Sequence, residues 1–132
     1  MSLDINIQTF WEKALENISS AASEFANRRY NASANRAYYA CFQAAIVALM
    51  REGIRPQGGE WGHAFVQAQF AGKLVTRRTA YPAFLRDTLP RLGELREHAD
   101  YEATHVSQTL AQRALRRARE FIDAVERGGE KV

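Results

Sequence analysis

The sequence predicts an all-α protein, built as an up-and-down bundle of about five helices. Apolar residues recur at intervals of three and four along most of the chain, which is the periodicity of amphipathic helices. No segment alternates with period two over a useful length, and no hairpin turn signal appears. The chain has 132 residues, of which 46% are hydrophobic, so we expect one domain over residues 1–132 with a true core.

The first two helices are separated by the sequence NRRYN, which breaks the apolar periodicity. The first helix is predicted from about Ile5 to Asn27, where apolar residues follow helical spacing. Asn31 has the side chain of a good N-cap and is predicted to begin the second helix. This helix continues to about Glu52, and Gly53 is a suitable C-terminal stop.

The second helix is unusual because it is apolar on every side. Its sequence NRAYYACFQAAIVALM, from Asn35 to Met50, has Gln43 as the single polar residue after Arg36. A helix that is apolar all round is normally surrounded by other helices. We therefore expect the second helix at the centre of the bundle, with its alanines allowing neighbouring helices to approach closely.

Three further helices are predicted after the loop GIRPQGGEWG. The third spans about Trp61 to Thr76, and the fourth begins near Pro82 and is kinked or displaced by Pro90. Ser107 is predicted to cap the fifth helix, which the glycines at 128 and 129 end. The apolar positions of the last two helices are Phe84, Leu85, Leu89, Leu92 and Leu95, then Leu110, Ala114, Leu115, Ala118, Phe121 and Val125.

Composition restricts the compartment and the partners. The net charge is +3 and comes mostly from arginine, which binds phosphate in bidentate fashion, so an RNA or nucleotide partner is compatible with it. Cys41 is the only cysteine, which fits a reducing compartment. The N-terminus has no secretory signal, and the apolar run of the second helix is too short for a bilayer. We expect a cytoplasmic protein without a membrane partner or a cofactor.

Four segments together resemble the HEPN domain, over about Phe10 to Val125. They are NRAYYACFQAAIVALMREG, GHAFVQAQF, LGELREHADYEA and ALRRAREFIDAV. The resemblance is narrower to a branch that carries a basic residue before Tyr-Tyr-Ala and an Arg-x-x-Ala-Asp-Tyr sequence. The residues that match these two motifs here are Arg36, Tyr38, Tyr39, Arg96, Asp100 and Tyr101.

The resemblance implies a homodimer that binds a nucleotide, RNA or a protein, often beside a minimal nucleotidyltransferase in a toxin–antitoxin-like system. Many HEPN proteins are metal-independent endoribonucleases, with an arginine, a polar residue and three to five further residues before a histidine. Here the histidines after Arg96 are His98 and His105, at offsets of two and nine. We therefore predict a binding and dimerisation module. The alternative is an endoribonuclease that uses Arg96 with His63 or His105.

We expect the motif residues to form one polar network at the end of the second helix. Arg96 and Asp100 are four residues apart and can meet on one helix face. Arg36 either binds phosphate within this network or pairs with Asp100 or Glu97 in a purely structural role. In the structural alternative, Tyr38 and Tyr39 belong to the core.

His63 and His105 are the histidines that we assign to the site. His63 stands near the start of the third helix, where the helix dipole favours a neutral imidazole. It either accepts a hydrogen bond and acts as a base, or simply anchors the preceding loop. His105 is assigned to the binding residues.

A metal site and a basic surface are the two rival interpretations. Two Glu-x-x-His motifs and two further glutamates resemble the ligand set of a di-iron bundle. The second helix carries no acid, however, so we expect no metal. The residues concerned are Glu60, His63, Glu102, His105, Glu24 and Glu94.

The basic surface consists of Arg113, Arg116, Arg117 and Arg119 on the last helix. It is either a solvated face, with Arg116–Glu120 and Arg119–Asp123 pairs, or a surface that follows a phosphate backbone.

Overall fold

Helices form most of the chain in the computed structural model, which describes residues 2–128. No strand occurs within that range, so the all-α prediction is confirmed. Five α-helices are connected by short turns, a π-helical segment (Phe70–Arg77) that continues α3, and one 3₁₀ turn (Ala83–Leu85). The α-helices are α1 (Ser2–Ala26), α2 (Tyr30–Arg51), α3 (His63–Gln69), α4 (Thr88–Tyr101) and α5 (Gln108–Glu126).

α2 lies at the centre, as its apolar sequence predicts. It packs mainly against α1, α5 and α4. From Ala37 to Met50 every residue except Tyr39 and Gln43 is buried. The alanines of α2 let the neighbouring backbones approach closely because they add little side-chain volume. All five of them between positions 37 and 48 have no exposed surface: Ala37, Ala40, Ala44, Ala45 and Ala48.

The start of α2 differs from the prediction, because Asn31 does not cap it. The helix begins at Tyr30, and no side chain caps its first turn. The Asn31 carboxamide is bonded elsewhere: its oxygen accepts from the backbone N–H of Val106 at 2.8 Å, and its nitrogen lies 2.8 Å from Nδ1 of His105. Asn31 therefore fastens the beginning of α2 to the segment that precedes α5.

Other helix ends agree with the sequence. Gly53 follows α2 with a φ of 76°, a left-handed conformation that glycine adopts without strain. The Ser107 hydroxyl accepts from the backbone N–H of Leu110 at 3.1 Å and so caps α5. Pro90 shifts the boundary of α4 and does not kink it. Since α4 begins at Thr88, Pro90 lies in the first turn, where its missing N–H removes no helical hydrogen bond.

Phe84 was expected in the core of the fourth helix, and this expectation is wrong. It lies in the separate 3₁₀ turn, outside the apolar stripe of α4, and 64% of its surface is exposed. Leu110 at the start of α5 is also 43% exposed, although it belongs to the α5 stripe. Within residues 2–128, no helix combines the length and apolar character that crossing a bilayer requires.

We expect Leu49→Ala to lower the free energy of unfolding by about 2–5 kcal/mol, because it opens a cavity beside a fully buried side chain of α2. Urea denaturation followed by circular dichroism measures this loss. Leu110→Ala is the matched control and should change stability by less than about 0.5 kcal/mol, since this leucine is partly exposed. Equal stability of the two variants would contradict the central position of α2.

Candidate functional site

Three helices meet at an open cleft of about 190 Å³. α2 contributes Tyr38, α3 contributes His63 as its first residue, and α4 contributes Arg96. Two predicted catalytic residues, Arg96 and His63, therefore lie in the same cleft of a single chain. The lining residues are Tyr38, His63, Gln67, Pro90, Gly93, Glu94, Arg96 and Glu97.

Tyr38 organises the floor of the cleft. Its ring is fully buried, and its hydroxyl accepts from Gln67 Nε2 at 3.1 Å and lies 2.7 Å from Nδ1 of His63. Burial raises the pKa of the Tyr38 phenol, so the hydroxyl keeps its proton at neutral pH. A buried hydroxyl requires an acceptor. We therefore assign its proton to the bond with His63 Nδ1, which leaves the proton of the neutral imidazole on Nε2.

The His63 ring lies stacked against Tyr38, with ring centroids 5.5 Å apart and an interplanar angle of 25°. Burial lowers the pKa of His63, and the cation of Arg96 lowers it further, while Glu97 acts in the opposite direction. The lowered pKa of the imidazole comes from burial and Arg96, whereas the sequence-based expectation of a neutral His63 came from the helix dipole.

Arg96 lies between two aromatic rings and a carboxylate. Its guanidinium carbon is 5.4 Å from the Tyr38 centroid and 5.7 Å from the Tyr39 centroid. Nη1 donates to Oδ2 of Asp100 at 3.2 Å, which confirms the pair predicted from the four-residue spacing. Burial disfavours the cation, but Tyr39 and Asp100 more than offset this effect, so the pKa of Arg96 is raised. Arg96 is a permanent cation in the cleft.

One donor of Arg96 has no acceptor. The side chain is only 14% exposed, and its Nε is buried without a hydrogen-bond partner among the described residues. A buried N–H without an acceptor costs free energy, so the bundle holds the Arg96 cation in the cleft with one of its hydrogen bonds unmade.

Arg36 joins the network indirectly and does not pair with Asp100 or Glu97 within the described residues. Asn35 connects Arg36 to Asp100. Its Nδ2 donates to both carboxylate oxygens of Asp100, at 3.2 and 3.1 Å. Its Oδ1 accepts from Nε of Arg36 at 2.9 Å and also from Nη2. Arg36 further donates to Oδ1 of Asn17 at 3.2 Å.

The predicted convergence of Arg36, Arg96 and Asp100 therefore depends on Asn35, which our sequence reasoning did not identify. Its only sequence signal is its position immediately before Arg36. Arg36 also lies over the ring of Tyr39, 5.5 Å from its centroid. The network thus surrounds Tyr39 with two arginines, one from α2 and one from α4.

Tyr101 and His105 lie at the edges of this arrangement. Tyr101 is 77% exposed, yet it is near enough to Arg96 to help raise the pKa of that side chain. His105 does not line the cleft; it contacts Asn31 and borders a separate depression with Arg28 and Arg29. Of the two histidines considered as partners of Arg96, the single chain places only His63 beside it.

Gly93 permits this close packing. A Cβ at this position would lie 3.3 Å from Nε2 of Gln67 and 3.3 Å from a ring carbon of Tyr38. A side chain at this position would therefore require Gln67 and Tyr38 to shift by a few tenths of an ångström.

The ligands proposed for the rival metal site do not come together. Within residues 2–128, no three His, Cys, Asp or Glu side chains come together in a metal-binding group. Two of its proposed ligands have other partners, since Glu24 pairs with Arg29 at 3.2 Å and His63 bonds to Tyr38.

The predicted ion pairs of the basic surface are also wrong. Neither Arg116–Glu120 nor Arg119–Asp123 forms an ion pair in the described part of the chain. The arginines of α5 are exposed and leave their charges available to solvent or to a partner.

The fold and the cleft are those of a small helical module. The sequence matches the HEPN domain family over residues 7–128. The chain belongs to the HEPN family. A protein of Methanocaldococcus jannaschii named "Putative toxin MJ0605" is 28% identical to it over 126 residues, which cover 96% of this chain and 90% of that protein.

We expect NMR titration to give His63 an imidazole pKa below 6.5, with His63→Gln identifying the resonance. In Arg96→Ala the pKa should rise only part of the way to 6.5, because burial is the larger cause. A neutral histidine with a lowered pKa stabilises the fold above pH 6.5, and this contribution is lost as the pH falls and the unfolded chain takes up the proton. A wild-type value at or above 6.5 would contradict the described environment.

Proposed function

We propose that this HEPN protein is a toxin-like module that binds single-stranded RNA, with one nucleotide held in the Arg96 cleft. Its membership of the family and the printed name of its archaeal relative support a toxin-like role. The observation that carries the RNA proposal is the permanent cation of Arg96, which lines a cleft open to solvent together with His63. A phosphate oxygen in this cleft would meet that cation.

The remaining cleft residues favour a nucleotide over inorganic phosphate. Glu94 and Glu97 also line the cleft, and their charges oppose a bare anion. The same carboxylates accept hydrogen bonds from the amino groups of a base. The His63 residue is exposed overall, although its ring packs against Tyr38, Tyr39 and Phe42. The part of the ring that these side chains leave open offers a surface for base stacking, and its Nε2–H is a donor. Stacking and hydrogen bonds to base edges are the usual means of recognising unpaired RNA.

A second candidate function is metal-independent endoribonuclease activity, because Arg96 and His63 lie in one cleft. Cleavage would need His63 to remove the proton of a 2′-hydroxyl, while the 2′-oxygen attacks the phosphorus and the 5′-oxygen leaves. In the tautomer assigned above, however, the proton is on Nε2, and Nδ1 is occupied by Tyr38. His63 would have to change tautomer before it could act as a base. We therefore place binding before cleavage.

We expect wild-type protein to bind a fluorescent, mixed-sequence RNA of about twelve nucleotides, a length typical of single-strand sites. Arg96→Ala should weaken binding by about tenfold or more and reduce the salt slope by about one. Arg55→Ala, which removes an exposed arginine outside the cleft, is the control and should change affinity by less than about twofold. Fluorescence anisotropy measures all three proteins, and His63→Ala tests the stacking contribution.

Equal weakening by Arg96→Ala and Arg55→Ala would reject the cleft as the RNA site. Denaturing gels of the same samples, incubated with EDTA, read out the second candidate. Intact RNA supports the binding module. Cleavage that disappears in both Arg96→Ala and His63→Ala would instead establish the endoribonuclease.

We further propose that the module is a homodimer and acts with a minimal nucleotidyltransferase, as its HEPN membership implies. Sedimentation equilibrium should give twice the chain mass of 14.9 kDa, and a monomer at micromolar concentrations would reject the dimer. A nucleotidyltransferase encoded next to this chain should copurify with it when the two are expressed together. Failure of the two proteins to associate would reject that partnership.

A further inference from the structure

A second surface feature lies on the other side of α4, in the groove between α4 and α5. This groove encloses about 270 Å³ and has three arginines around an apolar floor. Arg91 stands on the α4 side, and Arg113 and Arg117 stand on the α5 side. The floor consists of Leu92, Leu95, Leu110 and Ala114. We call it the α4/α5 groove.

The arginines of the α4/α5 groove have no partners within the described chain. None of Arg91, Arg113 and Arg117 forms an ion pair or a side-chain hydrogen bond there. Glu94 is the only acid among the lining residues, so the groove has a local excess of two positive charges. Its charges are therefore not arranged to stabilise the isolated fold.

The floor of the groove is also incompletely covered. Leu110 is 43% exposed and Leu95 is only partly buried, while Leu92 and Ala114 close the bottom. An exposed leucine surrounded by unpaired cations is the composition of a protein interface, in which apolar contact is combined with charge complementarity at the rim.

The occupant that fits this composition is a segment of another protein, and not RNA. The groove is lined by leucine and alanine and has no aromatic ring on which a base could stack. Contact between the apolar floor and a charged phosphate backbone would also contribute no binding free energy. The three arginines around the leucines complement a partner segment that carries acidic side chains on either side of an apolar stripe.

We propose that the α4/α5 groove binds an acidic amphipathic helix of a partner protein. The α5 residues of the groove lie between Leu110 and Arg117, which are seven positions or about 10 Å apart along the helix axis. This length corresponds to about two turns of a docked helix. Anchors at positions i, i+3 or i+4, and i+7 would meet the leucines, and flanking glutamates would meet the arginines.

A second copy of this chain fits less well. Leu15 of α1 is exposed beside Glu12 and Glu16, so α1 has the required character. However, a single contact between α1 of one copy and the α4/α5 groove of another produces rings or open chains. A closed twofold dimer requires both such contacts to form at once.

The test uses a fluorescent synthetic peptide of about sixteen residues, an amphipathic helix with a leucine stripe flanked by glutamates. We expect wild-type protein to bind it, and to bind a scrambled peptide of the same composition at least about tenfold more weakly. The double variant Arg113→Glu/Arg117→Glu should lose about tenfold or more in affinity. The matched control Arg116→Glu/Arg119→Glu makes the same change of charge on the side of α5 that faces α1.

The control variant should bind within about threefold of wild type, and Leu110→Gln should weaken binding without altering the circular dichroism spectrum. Equal loss in both double variants would show a general charge effect and overturn the proposal, as would equal binding of the scrambled peptide. Loss of single-stranded RNA affinity confined to Arg113→Glu/Arg117→Glu, without peptide binding, would assign the groove to RNA. A change of sedimentation mass confined to that variant would assign it to self-association; either result would overturn the proposal.

Discussion

The structure depends on the burial of α2 from Ala37 to Met50, where only Tyr39 and Gln43 are partly exposed. Polar side-chain atoms on such a helix are stable where they have a partner, and Gln43 Oε1 is the exception among the described residues of α2. Tyr38 is the critical case, because its ring belongs to the core and its hydroxyl emerges between α3 and α4. Gln67 and His63 satisfy that hydroxyl, which fixes the first turns of α3 against α2. The candidate site is thus produced by the same requirement that holds the bundle together.

Arg96 is a second polar group that packs between these helices, and it carries a charge. A partly buried cation is costly unless aromatic faces, a carboxylate or a ligand compensate for it. The rings of Tyr38 and Tyr39 compensate over the guanidinium plane, and the Asp100 carboxylate compensates at Nη1. Nε has no partner among the described residues. Gly93 leaves room for the Tyr38 ring beside α4, since a Cβ there would lie 3.3 Å from a ring carbon of Tyr38.

Local sequence patterns predicted those features that local interactions determine. The apolar character of α2 and the Ser107 cap were identified correctly because each depends on residues within a few positions. Asn31 and Asn35 were misjudged or missed because their carboxamides bond to residues 65 to 75 positions away. An asparagine is equally suited to a cap and to a long-range hydrogen bond, and only the tertiary structure decides between them. The same limitation applies to Phe84, whose exposure results from a helix boundary that Pro90 displaced.

α4 separates two surfaces of different character. Arg96 faces the cleft, whereas Arg91 and Leu95 face the α4/α5 groove, and Glu94 lines both. A carboxylate shared by two sites couples them electrostatically, since a charge placed in one alters the potential in the other. An acidic helix in the groove would add negative charge beside the cleft and oppose a phosphate bound at Arg96. By linkage, RNA in the cleft would weaken the binding of the acidic helix by the same factor. The like charge of the two ligands therefore makes the coupling between an RNA ligand and an acidic protein partner unfavourable.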